Sequence, residues 1–351
     1  MIDRSRGFNW AIILIYSAGA GALFNLVMMH AGHPLIGAIY GLFIGVPMLA
    51  FTRGVFLPKI QGRLRQLPFP LYVPISIAAY AVMIVASNAV AGGLLSSLGV
   101  IPGGVLANIL IDGKDLVYTF CVVAVLMLAL RIRDLIGGEA FLSLLTGRYH
   151  KPVPEERVFL FIDVVGSTQF AERYGDLRTQ EYLGRFFAAL AGPVRRHRGA
   201  IDDYVGDLAI VSWPLQRGIK NARCMRCVFA LQEQISRQAL SWQSNFGIVP
   251  RFRAALHGGP VVTAEIGVDR HKITYFGDTV NTTARIEALC RDLDAPILIS
   301  GELLARIASL PPGIHATDLG SHDLRGRDQP IAVAALSAAP RPAREPARIA
   351  A

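Results

Sequence analysis

The sequence predicts a multi-pass α-helical membrane domain followed by a globular domain of mixed α and β structure. Three observations carry this expectation. Between Arg6 and Arg53 there is no Asp, Glu, Lys or Arg, and a second uncharged stretch runs from Gln66 to Ile111. From Arg157 onward, short apolar runs of strand character alternate with helical patterns. The 52% hydrophobic content and mean hydropathy of +0.42 exceed those of an ordinary soluble protein, and the excess lies in the first third of the 351 residues.

A helical crossing needs ~20 apolar residues. The first uncharged stretch therefore holds spans near 9–29 and 34–52, turning at His30-Ala-Gly-His33. The second gives a span near 71–91 and then an interrupted segment, GGLLSSLGVIPGGVLANILI; a last span runs from about 114 to 131. The basic N-terminus, the Arg/Lys-rich 53–65 loop and the Arg131/Arg133 end are expected on the cytoplasmic side. Ends on one side require an even number of crossings. Four helices are expected over 1–131, with 92–113 outside or re-entrant. The first apolar run is too long for a signal peptide and lacks a small-residue cleavage site. His30 and His33 are expected to be surface turn residues, and no mid-membrane ionisable pair marks a transport path.

Residues 132–154 are expected to connect the two parts. The run RIRDLIGGEAFLSLLTGRYH continues the last span as a helix, with a stripe of Leu135, Phe141, Leu142 and Leu145, until Pro152 and Pro154 break it. Its GGEAF stretch at Gly137 resembles the GGDEF signature of diguanylate cyclases. It lacks the second acidic residue, and it precedes the domain it would have to sit inside, so it is set aside.

RVFLFIDV predicts a buried strand, and 168–197 is largely helical. GAIDDYV and LAIVSW are strands joined at Gly206-Asp207, a dipeptide suited to a tight hairpin. A helix over about 216–240 precedes strands near 251–257 and 260–267. HKITYF, a helix over about 278–292, and the strands PILIS and IAVAAL complete the domain; the Pro/Ala/Arg-rich tail over 338–351 is expected to be disordered. The four cysteines make no disulfide framework, and Cys224 and Cys227 form a lone CxxC with no second pair for zinc. The net charge of +9 invites a nucleic-acid partner, but many of the cations flank apolar spans, so none is expected.

Asp163 ends an apolar strand and is followed by Val-Val-Gly166-Ser167-Thr168 at a helix start. A strand-end carboxylate beside a helix N-terminus suits a metal next to a phosphate. Asp207, at the hairpin tip, supplies a second carboxylate, and two converging carboxylates suit two-metal phosphoryl chemistry.

The segments FLFIDVVGSTQFAERYGD, HRGAIDDYVGDLAIVSWP, ALHGGPVVTAEIG and ITYFGDTVNTTARIEALC resemble, in order and spacing, the motifs of class III adenylate and guanylate cyclases over about 155–337. The resemblance implies an α+β catalytic domain of ferredoxin-like βαβ type in a bacterial inner-membrane protein, with that domain cytoplasmic. It implies metal binding by Asp163 and Asp207, with two divalent ions, magnesium or manganese, as cofactors. Gly166, Ser167 and Thr168 match the loop that cradles phosphates. Asn281 and Arg285, four apart on one helix face, match the pair that orients ribose and stabilises the pentavalent phosphate. Arg325 matches a basic residue on the terminal phosphates, and Thr274 a base-selecting position.

One position departs from the adenylate pattern. Asp203 stands where adenylate cyclases usually carry a base-reading Lys, and guanylate cyclases place Glu there. ATP is the expected substrate, with GTP the alternative and a catalytically inactive cyclase-like signalling domain the more distant one. In the family the metal residues and the Asn/Arg pair come from opposite subunits, so a homodimer with two composite sites is implied. Neither the stimulus of the membrane domain nor any ligand of it is named by the residues.

Overall fold

In the computed structural model, the described residues are 10–28, 33–52, 54–65, 67–102, 113–122 without 115, 125, 143, 146–267, 272–324, 326 and 329–338. The segment 103–112, the connector over 132–142, Arg325, His30 and the tail beyond 338 lie outside them. The chain divides into two compact units, Met1–Arg131 and Ile132–Ala351.

The first unit contains α1 (Trp10–Met28), α2 (Pro34–Thr52), α3 (Pro58–Arg65) and α4 (Phe69–Ser97). Small residues set the closeness of α1 and α2. A Cβ on Gly21 would stand 2.0 Å from the Gly37 carbonyl oxygen, and one on Gly41 2.1 Å from that of Ser17. Such backbone approach requires glycine, and it brings the two helices into close van der Waals contact. Met48 and Phe51 of α2 pack on Tyr80 and Ile84 of α4. Helix α2 and the Pro70–Ser97 stretch are long and apolar enough to cross a membrane. Residues 116–122 are also helical. Helix α4 runs through Gly92-Gly93 to Ser97, past the end near 91 expected from the sequence. Two glycines cost roughly 1 kcal/mol each relative to Ala. Ala91 and Leu95, both buried, keep the helix going, and Leu98 N–H closes it on the Leu94 carbonyl.

The second unit is built on an eight-stranded mixed sheet in the order β2-β3-β1-β4-β6-β8-β7, with β5 paired to β4. Its strands are β1 (Val153–Val164), β2 (Ala200–Val205), β3 (Leu208–Pro214), β4 (Phe252–Ile266), β5 (Lys272–Phe276), β6 (Ile297–Ser300), β7 (Ile314–His322) and β8 (Ile331–Ala338). Its helices are α5 (Ser167–Tyr174), α6 (Asp176–Arg196), α7 (Leu215–Ile219), α8 (Arg223–Arg237), α9 (Ala239–Phe246), α10 (Asp278–Asp292) and α11 (Gly301–Ala305). Strands β4-β1-β3-β2 are antiparallel neighbours, and helical crossovers follow β1 and β3. This is the βαββαβ arrangement of ferredoxin-like domains.

Strand β1 is buried on both faces. Val158, Leu160 and Ile162 enter the core formed with α6, α8 and α9 around Tyr182, Phe186 and Trp242. Phe159 and Phe161 point the other way, against Val261, Tyr275 and Val280 of α10. A second core under α10 joins Ile286 and Cys290 to Leu298 and Val333.

Several elements differ from the sequence expectation. The helix expected over 168–197 is two helices, because Gly175 at φ +80° turns the chain between α5 and α6. The helix expected over 216–240 is also broken, with Asn221 and Ala222 in the left-handed region between α7 and α8. The two strands near 251–257 and 260–267 are one continuous β4. Pro260 is tolerated there because its carbonyl accepts from Thr279 Oγ1 at 2.7 Å, so its missing N–H faces that same side, away from β1.

Candidate active site

Asp163 is the penultimate residue of β1, opposite Leu208 of β3 and Arg253 of β4. The chain then turns through Gly166, whose φ of +79° is left-handed, and enters α5 at Ser167. Gly206, also left-handed at φ +63°, and Asp207 form the two-residue turn closing the β2–β3 hairpin between Val205 and Leu208. These two turns meet: the Ser167 hydroxyl donates to Asp207 Oδ2 in a short contact. Arg253 Nη1 stands 3.8 Å from Asp163 Oδ2. Burial, and then the negative charge of Asp207, hold the Asp163 carboxyl above its ordinary value, against the pull of Arg253 and Arg291. Glu287 of α10 lies in the same field, its carboxyl raised by burial first and then by Asp163. The result is a carboxylate pair at one end of the sheet, with a backbone turn and a guanidinium beside it. That donor set suits a divalent cation, which would relieve the repulsion between Asp163 and Asp207.

Thr168 is exposed at the start of α5. Asn281 and Arg285 lie one turn apart on α10, Asn281 exposed and Arg285 with Nη1 3.8 Å from Asp278 Oδ1. Gly326 closes over Arg285: a Cβ there would be 3.4 Å from Nη2. Among the described residues, no hydrogen bond or ion pair joins Asn281 or Arg285 to Asp163 or Asp207. Within one chain the α10 pair is thus not bonded to the carboxylates, although Glu287 of the same helix lies in their field.

Thr274 lies on β5 opposite Ala264, on the same strand face as Lys272. Lys272 Nζ donates to Asp203 Oδ2, whose Oδ1 accepts the Tyr204 N–H at 3.0 Å. Next to it Tyr275 donates to Asp202 at 3.0 Å. Asp203 is thus engaged by a cation from β5, a pairing between residues too distant in sequence to be anticipated. Arg253 was likewise missed; its only sequence signal is a cation interrupting the apolar strand RFRAAL.

Residues 151–335 match the family described as the adenylate and guanylate cyclase catalytic domain. The chain belongs to the class III adenylate and guanylate cyclase family. It is 50% identical, over 327 residues covering 93% of this chain and 90% of the relative, to adenylate cyclase 2 of Rhizobium meliloti (strain 1021). It is 27% identical over 213 residues to an uncharacterised protein of Mycobacterium tuberculosis, covering 58% of this chain and 38% of that one. A bacterial light-regulated adenylyl cyclase has the same fold in its solved structure, with a TM-score of 0.51 at 15% identity over 63% of each chain. As a member of the family this chain is a nucleotide cyclase, and cyclases of this class depend on divalent metal.

Proposed function

We propose that this cyclase is a membrane-anchored adenylate cyclase, converting ATP to 3′,5′-cyclic AMP and diphosphate in a homodimer. The observation that carries the chemistry is the Asp163/Asp207 pair beside the Gly166–Ser167 turn. Those carboxylates would hold divalent metal, magnesium or manganese, which lowers the pKa of the attacking ribose hydroxyl and neutralises the leaving diphosphate. The turn amides at Gly166, Ser167 and Thr168 face the phosphates from a helix N-terminus. Arg253, held beside Asp163, adds positive charge where the diphosphate departs. Arg285 offsets charge building on the pentavalent phosphate, Asn281 orients the ribose, and Arg325 reaches the terminal phosphates.

The homodimer is supported by the lack of any direct bond between the two residue sets within one chain. Each site would take its aspartates from one copy and its α10 pair from the other. ATP is favoured over GTP on two grounds. The relative at 50% identity is named an adenylate cyclase, and the Asp203 carboxylate, which would otherwise accept from a guanine edge, is occupied by Lys272. Thr274 on the same strand face would complete base selection. The apolar helices support an inner-membrane anchor over 1–131, with 132–154 as connector and 155–337 as a cytoplasmic catalytic domain.

The test is incubation of the purified protein with ATP or GTP and magnesium or manganese, with the product identified by mass. Cyclic AMP as the main product is expected. Cyclic GMP as the main product would reverse the base assignment, and no cyclic product with either metal would refute the activity.

A further inference from the structure

A large cation lies inside the catalytic unit, on β1 but well before Asp163. Arg157 is 2% exposed and among the largest fully buried side chains. It shares a sheet face with Phe159 and Phe161, and its neighbours across the sheet, Pro214 and Gly259, offer it no polar side chain. The guanidinium turns to other groups. Nη1 donates to Glu155 Oε1 at 3.1 Å, Nη2 donates to Ser212 Oγ at 2.7 Å, and Cζ stands 4.8 Å from the centre of the Tyr275 ring. Glu155 also accepts from Thr263 Oγ1 at 2.6 Å and lies 3.4 Å from the Tyr149 hydroxyl. An apolar side chain of similar volume would fill this place with no charge to desolvate. What the guanidinium adds is direction: a planar fork of donors with an aromatic ring against it, in one fixed arrangement.

Tyr275 belongs to β5, the strand that carries Thr274 and Lys272. In the sheet β5 pairs with β4, and β1 and β3 separate β4 from β2. Tyr275 nevertheless donates to Asp202 of β2 at 3.0 Å and meets Phe159 of β1 edge-on, ring centres 5.2 Å apart. The β4–β5 ribbon therefore folds over this face of the sheet, with the Tyr275 ring resting on Arg157. Burial first, then the charge of Asp202, push the Tyr275 hydroxyl well above its ordinary value and keep it a donor. The register of β2 shifts between Ile201 and Asp203, and such a bulge re-aims side chains. Consecutive aspartates thereby engage both faces of β5: Asp202 takes Tyr275, and Asp203 takes Lys272. We propose that Arg157 is a positioning residue for the nucleotide base: through the Tyr275 ring it fixes where β5 crosses β2, and so the spacing between Thr274 and Asp203. The proposal rests on the reading of those two residues as base-selecting.

The test measures binding of 3′-deoxy-ATP and 3′-deoxy-GTP, with magnesium, to the full chain by titration calorimetry. These analogues lack the attacking hydroxyl, so affinity is read without turnover. Whichever base wild type prefers, the preference should fall about tenfold in Arg157→Met, the worth of one hydrogen bond. Tyr275→Leu should lose as much, and the double variant no more than either alone, because the two residues act through one contact. Arg157→Lys keeps the charge beside Glu155 but not the planar fork. It therefore puts the fold at less risk, and its preference should fall in the same direction. A lower melting temperature with unchanged base preference in these variants would make Arg157 a purely structural residue and overturn the proposal. Wild type that binds both analogues equally, or neither, would overturn it too. A wild-type preference for guanine reverses the base assignment made above, and loss of that preference in the variants still supports the role of Arg157. Absence of cyclic product from ATP and GTP refutes the activity separately, since the binding ratios are read without it.

Discussion

The proposed two-chain site makes a quantitative prediction. Asp163→Ala removes one of two carboxylates from the β1 end and leaves α10 intact; Asn281→Ala removes an exposed side chain from α10 and leaves both aspartates. Neither should unfold the protein: Asn281 is on the surface, where substitutions stay within about 0.5 kcal/mol, and the raised Asp163 carboxyl is itself a site of unfavourable charge. Each variant alone should lose about 10²–10³ in rate, the usual cost of one transition-state donor. In a head-to-tail dimer a mixed pair gathers both defects into one site and leaves the other wild type. Under random pairing half the dimers are mixed and each has one working site of two, so co-expression should restore about a quarter of wild-type activity, at least ~25-fold above either variant given that loss. Mixed dimers isolated with two different tags should reach about half. The assay is cyclic AMP formation at saturating ATP and manganese. Mixed dimers of demonstrated composition with no more activity than the single variants would refute the two-chain site.

Further outcomes follow from individual groups. Asp163→Asn should likewise lower cyclase activity about 10²–10³-fold yet, with metal chelated, unfold at a temperature no lower than wild type. A carboxyl raised in the fold stabilises at low pH and costs stability once pH passes its folded value; melting curves in chelator against magnesium check this, and wild type alone should gain from the metal. Lys272→Met should cost under about 1 kcal/mol in stability, since the pair is partly exposed. It should also free Asp203 for a guanine edge and raise the GTP/ATP ratio of kcat/KM about tenfold; an unchanged ratio removes Asp203 from base contact. His197, held at about 4 against an ordinary 6.5, stays neutral in the fold while the unfolded chain protonates, so stability falls as pH drops from 6.5 toward 4. With partial solvent screening the loss is about 1–2 kcal/mol, and His197→Gln should flatten that part of the stability–pH curve.

The parts of the catalytic unit that were legible in the sequence are those with dense local signals. The apolar run around Phe159 and Phe161 marks β1, Gly206-Asp207 marks the hairpin, and the α10 limits expected at about 278–292 match Asp278–Asp292. The position of Asp163 was readable from the end of the apolar β1, that of Ser167 from the helix start after it, and that of Asp207 from the Gly206-Asp207 turn. Strand β7 was not, since IHATDLGSH alternates only over Ile314–Thr317 before its register shifts between Asp318 and Ser321. The continuity of β4 across Gly258-Gly259-Pro260 depends on Thr279, which no local pattern reveals. Arg253 and Lys272 acquire meaning only through partners brought close by pairing in the sheet.

Strand β1 also governs how movement could reach the chemistry. From Val153 to Asp163 it runs ~33 Å at the usual strand rise, hydrogen-bonded to β4 along its whole length and to β3 from Arg157 onward. Its side chains alternate between two filled cores, so a slip by one residue would turn Phe159 and Phe161 into the wrong core. The strand therefore behaves as a stiff rod built into a plate. A twist or displacement applied at Tyr149 cannot be taken up along it, and must rotate the sheet as a whole, carrying Asp163 relative to whatever surface faces it. In the proposed dimer, control exerted at Tyr149 would thus act on the alignment of two intact half-sites, and the carboxylate cluster itself would keep its internal geometry in the active and resting states alike.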